Sequence, residues 1–282
     1  MRPRAAGGAL VLVLLVTALW SAGGSPARAA GPGGTAGSLT SQLSGSRSGL
    51  LQLQARADQV AATASPVAPL DAARRQMQIG EAGIRYRDAI RSEQAAVYRL
   101  AVDQSLGDQV LPRLGSSQPG LGEAVTAIRS QWVAYGTPSL QRRPNQGHRF
   151  LQSEPVAALL SYYRAAGGQL GIDWTYLGAI NYVETDFGRN NGPSAAGAQG
   201  PMQFLPTTWD QVGGGGDIMS ARDAIFGAAR FLRQSGAPES YQRALFAYNN
   251  DQDYVDAVAG FAAALRADPL WLTRLYYWNT YG

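Results

Sequence analysis

Apolar residues in this chain recur mostly at three- and four-residue intervals, the period of a helix, and nowhere alternate convincingly as a strand would. Leu50, Leu53, Ala57, Val60 and Ala61 share one face and predict a helix over 49–64, ended by Pro66 and Pro69. Residues 70–111, rich in Arg, Ala, Gln and Glu, read as one long helix or a helical hairpin. A Gly/Ser/Pro break at 115–122 precedes a helix from Glu123 to Tyr135. Beyond residue 150 aromatics become frequent and helix starts recognisable. Ser153 precedes a face of Val156, Leu159, Leu160 and Tyr163, and Asp173 caps a helix carrying Leu177, Ile180 and Glu184. Ser220 and Asp223 form a capping signal before Ile225, Ala228, Ala229 and Leu232, with Gly236 to close that helix. Ser240 opens a helix to Tyr248, Tyr254 to Leu265 mark another, and Pro269 starts a last one. The fold class expected is mostly α.

Two stretches break this pattern near the start. Arg2 and Arg4 precede an apolar run, Ala9 to Trp20, and Ala27-Arg28-Ala29 is a small-x-small cleavage site, so residues 1–29 read as a secretory signal peptide. As a helix that run would span only about 18 Å, against a hydrocarbon core of roughly 30 Å. Residues 30–48, mostly Gly, Ser, Thr and Ala, read as a flexible linker, and 136–149 as a second one. The expected organisation is therefore signal 1–29, linker 30–48, a helical region 49–149 of unassigned role, and a tighter domain 150–282.

Composition narrows the chemistry. Apolar residues are 45% of the 282, enough to bury a core. There is no cysteine, which excludes disulfides, thiolate metal sites and a lipid-modified cysteine. There is no lysine, which excludes a P-loop and a Schiff base. Residues 31–150 hold 13 Arg against 8 acids and residues 151–282 hold 8 Arg against 12, so the net charge of +4 is no basic stripe. Mixed signs at helical spacing indicate a solvated face and argue against nucleic acid. His148, the only histidine, lies in the second linker without a partner motif. No metal site and no cofactor are expected. Trp271, Tyr276, Tyr277 and Trp278 read as core or domain-docking aromatics.

Three short stretches carry chemistry. Glu184 shares the apolar face of Leu177 and Ile180, where burial raises a carboxyl toward the range of a general acid. The alternative is an ion pair with Arg189 or another neighbour. In Gly197–Phe204, Gly197 and Gly200 permit positive φ, Gln199 and Gln203 offer donors and acceptors suited to acetamido and hydroxyl groups of a sugar, and Met202 and Phe204 offer apolar contact. The alternative is an ordinary turn between helices. In Ala247-Tyr248-Asn249 the Tyr248 hydroxyl can reach the carboxyl or a sugar acetamide, although alone Tyr248 would pass for a core residue.

The order and spacing of Gly171–Trp174, Glu184–Gly188, Gly197–Trp209 and Ala247–Asn249 resemble the lytic transglycosylases, peptidoglycan-cleaving enzymes with a goose-lysozyme-like fold; the type expected is the actinobacterial one. The resemblance covers about residues 150–260 and leaves 31–150 unaddressed. It implies a lysozyme-like catalytic domain after the N-terminal helical region, with Glu184 as the single catalytic acid and then base. It also implies substrate contacts from Thr185, Gln199, Met202, Gln203, Phe204, Tyr248 and Asn249. Thr185 stands where many members have Ser and keeps the hydroxyl for the substrate acetamide; Pro201 stands where many have Leu. The implied partner is the peptidoglycan strand, with cell-wall proteins as candidates for the N-terminal helices, and the implied location is outside the cytoplasm. Asp186, two residues from Glu184, lies about 200° around a continuing helix and so is no second catalytic carboxylate. A hydrolytic muramidase and a non-catalytic peptidoglycan-binding scaffold are the competing readings.

Overall fold

The computed structural model describes residues 35–62, 69–135, 152–190 and 192–278. The expected signal, the expected second linker and His148 lie outside these residues. The expected mostly α class holds: among the described residues there are twelve α-helices and no strand, only one antiparallel bridge pairing Gln199 with Phe204. This agrees with a lysozyme-like domain and an N-terminal helical region.

The N-terminal helices are α1 (Ala36–Ser44), α2 (Ser46–Ala62), α3 (Pro69–Val102), α4 (Gln104–Leu114) and α5 (Leu121–Tyr135). From residue 35 on, the expected linker at 30–48 is instead helical. Thr35 caps α1, its hydroxyl accepting from the Ser38 N–H at 3.3 Å, and Leu39 and Leu43 are buried. Two leucines four apart give a short helix an apolar stripe, and packing against α3 and α4 overrides its Gly/Ser/Thr composition. The long segment after Pro69 breaks at Asp103, which ends α3 and caps α4 by accepting from Leu106 N at 2.9 Å.

The remaining helices are α6 (Val156–Leu170), α7 (Trp174–Thr185), α8 (Pro206–Val212), α9 (Ala221–Gln234), α10 (Tyr241–Tyr248), α11 (Gln252–Ala267) and α12 (Leu270–Tyr277). Helix α11 lies between α5 and α7. Its Gly260 makes the α5 contact possible, because a Cβ there would stand 2.8 Å from Ala127 Cβ. On the α7 side, Phe261 packs edge-on against Tyr182 with ring centroids 4.9 Å apart.

The expected division at 149/150 falls outside the described residues, and the helices on either side of it share one buried core. A buried ionic cluster joins them. Arg274 of α12 is fully enclosed, with Nε 2.9 Å from Glu93 Oε2 of α3 and Nη2 donating to Gln118 Oε1 at 3.0 Å. Asp268 lies 3.7 Å from Arg274 and 2.7 Å from Arg47 of α2. Trp271 is buried with its indole N–H on Pro119 O at 2.9 Å, a docking contact of the kind expected for the C-terminal aromatics. No helix among the described residues is long and apolar enough to cross a membrane.

Candidate active site

Helix α7 places Glu184. Asp173 caps its first turn by accepting from Thr175 N at 3.0 Å and is held by Arg266 across the surface. The last turn closes with Asp186 N on Tyr182 O at 2.9 Å and Phe187 N on Asn181 O at 3.0 Å, a left-handed wrap usually made with glycine. Here Asp186, Phe187 and Gly188 all have positive φ, at 51°, 60° and 82°. Two consecutive non-glycine residues in that region are strained by about 1–3 kcal/mol each, and such strain gathers at functional sites. The helix therefore stops one residue after Glu184.

Glu184 keeps a partly exposed edge while protein surrounds its carboxyl. That burial pushes the carboxyl up from 4.5 to about 7, and the Tyr254 hydroxyl holds it from rising further. The ion pair with Arg189 weighed as an alternative is not made. Arg189 pairs instead with the buried Asp186 at 3.1 Å and donates to Tyr276 O at 2.9 Å. Asp186 is thus committed to its own neighbour, and it sits in the left-handed turn rather than on a continuing helix.

The loop after Ser194 faces this helix end. Gln199 and Phe204 exchange backbone hydrogen bonds at 2.8 and 2.9 Å, closing a tight turn over Gly200–Gln203. Gly200 has φ 74°, and a Cβ there would meet Ile218 O at 2.0 Å, so only glycine fits. Gln203 is itself left-handed at φ 50°, with its amide donating to Gly200 O at 3.0 Å. Gln199 and Gln203 are half-buried, at the boundary with solvent.

Several residues expected to touch substrate do not reach the surface. Thr185 is 1% exposed, and its hydroxyl donates to Pro201 O at 2.6 Å and accepts from Gly188 N at 2.9 Å. Met202 and Phe204 are buried, Phe204 among the rings of Trp209, Phe231 and Tyr248. The apolar run of the loop is consumed by the core, because the turn points alternate side chains inward. Tyr248 is half-buried and donates to Met202 O at 2.7 Å rather than to the carboxyl; burial and the neighbouring Glu184 charge push its own ionisation well up. Asn249, half-buried, follows directly at the end of α10.

The tyrosine that lowers the Glu184 carboxyl is Tyr254, which the periodicity marked only as a core position. It is fully buried in the first turn of α11, where Asp251 caps by accepting from Asp253 N and Tyr254 N at 2.8 and 3.4 Å. The available signal was chemical: a buried tyrosine needs a partner for its hydroxyl. A cavity of about 220 Å³ opens behind the turn, lined among others by Tyr162, Gly188, Pro201, Met219 and Arg222. Neither Glu184 nor Gln203 borders it.

No family model matches the chain, and no solved structure matches it. Over 138 residues the chain is 31% identical to a curated protein of Thiobacillus denitrificans named membrane-bound lytic murein transglycosylase F. The match covers 46% of this chain and 27% of that protein, so the chain spans about a quarter of its relative's length. Over that stretch the likeness supports the lytic transglycosylase family.

Proposed function

We propose that the protein is an exported peptidoglycan lytic transglycosylase, of the actinobacterial type, that cleaves the N-acetylmuramic acid–N-acetylglucosamine bond without water. The observation that carries the reading is the single carboxyl of Glu184, held near neutral pH at a helix end with its nearest acid in sequence committed elsewhere. A carboxyl that titrates near the working pH can both give and take a proton.

In this reaction protonated Glu184 donates to the glycosidic oxygen as the C1–O bond breaks, and the N-acetylglucosamine end leaves with that proton. The neighbouring acetamide carbonyl of the muramoyl unit stabilises the electron-poor C1. Glu184, now a carboxylate steadied by Tyr254, takes the proton of the muramoyl C6 hydroxyl while that oxygen bonds to C1. The products are a 1,6-anhydromuramoyl end and a restored acid, and no water is consumed. A glycosidase with two carboxylates would hold the second about 5–9.5 Å away. Gln199, Gln203, Tyr248 and Asn249 are the assigned sugar contacts, and Thr185, Met202 and Phe204 shape the site from behind. Residues 1–29 direct export to the cell wall.

The test is Glu184→Gln. The variant should still sediment with insoluble peptidoglycan and lose at least about a thousandfold in turnover, the scale of removing an acid and base together. A wild type and variant that bind alike and release nothing would make the protein a scaffold.

A further inference from the structure

Two donors from α7 converge on one loop carbonyl. Asn181 Nδ2 and Thr185 Oγ1 donate to Pro201 O at 2.8 and 2.6 Å, which uses both of its lone pairs. The same Thr185 oxygen accepts from Gly188 N at 2.9 Å, tying down the strained turn that follows Glu184. Behind them the Tyr163 hydroxyl of α6 donates to Asn181 Oδ1 at 2.6 Å. Tyr163 and Asn181 are fully buried and Thr185 nearly so. The next carbonyl of the loop, Met202 O, is held from the other side by Tyr248.

We infer, given the reading of Glu184 as the acid, that Tyr163, Asn181 and Thr185 are positioning residues. They clamp the Gly197–Phe204 loop to the end of α7 and so set where the Gln199 and Gln203 amides stand relative to the Glu184 carboxyl. Thr185 is adjacent to Glu184 in the chain, and Pro201 is two residues from Gln203, so the clamp is a short link between acid and sugar contacts. Its polar groups have no access to water, and deleting one member leaves its partners unsatisfied rather than solvated. A displacement of about 1 Å between acid and substrate is enough to cost roughly a hundredfold in rate.

Thr185→Val keeps the shape and removes the hydroxyl; Thr185→Ser keeps the hydroxyl. Tyr163→Phe, which trims only the far end of the chain, serves if the valine variant does not fold. Each is assayed for kcat and KM on peptidoglycan, and Glu184 is titrated by carbon NMR. Tyr254 and Tyr248, the titratable groups that face this carboxyl, stay in place throughout. The clamp predicts a serine variant within about threefold of wild type, since the hydroxyl geometry is kept. It predicts a valine variant losing roughly 10- to 100-fold, mainly in kcat, with Glu184 titrating lower as water reaches it. A folded valine variant with wild-type rate and titration overturns the inference, as does a serine variant no better than valine. If even the wild type forms no anhydro product, the acid reading fails, and the clamp stands or falls on whether valine alone lowers the Glu184 titration.

Discussion

Glu184→Gln should make the protein more stable as well as inactive. Burial raises this carboxyl from 4.5 to about 7, so the folded chain holds its proton more tightly than the unfolded chain does. Below pH 4.5 both states are protonated and the substitution changes little. Between 4.5 and 7 the unfolded chain releases the proton first, and stability falls as pH rises. Above 7 the folded chain carries a buried carboxylate, and the full penalty applies. At 1.36 kcal/mol for each pH unit between those two values, the penalty is about 3 kcal/mol. Glutamine is isosteric and stays neutral. Thermal unfolding of both proteins at pH 4 and pH 8 is the assay. For a chain of this size about 3 kcal/mol corresponds to a midpoint roughly 6–12 °C higher for the variant at pH 8, with near-coincidence at pH 4. A variant equal to or less stable than wild type at pH 8, or a difference independent of pH, would refute the claim that the carboxyl is buried at a cost.

Tyr254→Phe removes the hydroxyl that holds Glu184 down, so the high-pH limb of the rate profile should move further above 7 while kcat falls about tenfold or more; an unmoved limb would show that Tyr254 does not reach the carboxyl. Gly200→Ala should cost about a hundredfold in rate by pushing the loop off Ile218 O, and near wild-type turnover would mean the loop does not order the substrate. Arg274→Met leaves Glu93 and Asp268 buried without their shared cation, and denaturant unfolding should show a loss of about 3–5 kcal/mol; a loss under about 1 kcal/mol would deny that the cluster binds the two halves together.

Local rules reached some of this molecule and missed the rest for identifiable reasons. Asp173, Ser220 and Ser240 are the N-caps that the sequence indicates, because a cap depends on residues within one turn. The burial of the Glu184 carboxyl was legible because its place on an apolar face follows from helix period alone. Helix α1 was not, since only the burial of Leu39 and Leu43 distinguishes it from a linker. Tyr254 acts across 70 residues of chain, and at its own position it is one more apolar mark on α11. The sequence marks the Thr185 hydroxyl as a hydrogen-bonding group, and in the fold it turns to the carbonyl of Pro201. Residue type cannot say whether an oxygen faces a sugar or the carbonyl of Pro201. Arg274 and Glu93 lie 181 residues apart, so no local pattern joins them.

The central claim concerns where the oxygen at C1 comes from. Peptidoglycan digested in oxygen-18 water by the wild-type protein, with Glu184→Gln beside it, decides the matter by mass spectrometry. The account predicts muropeptides one water lighter than the reducing-end form, without label, and absent from the variant digest. Reducing ends carrying oxygen-18 would contradict it and would require a second group that activates water.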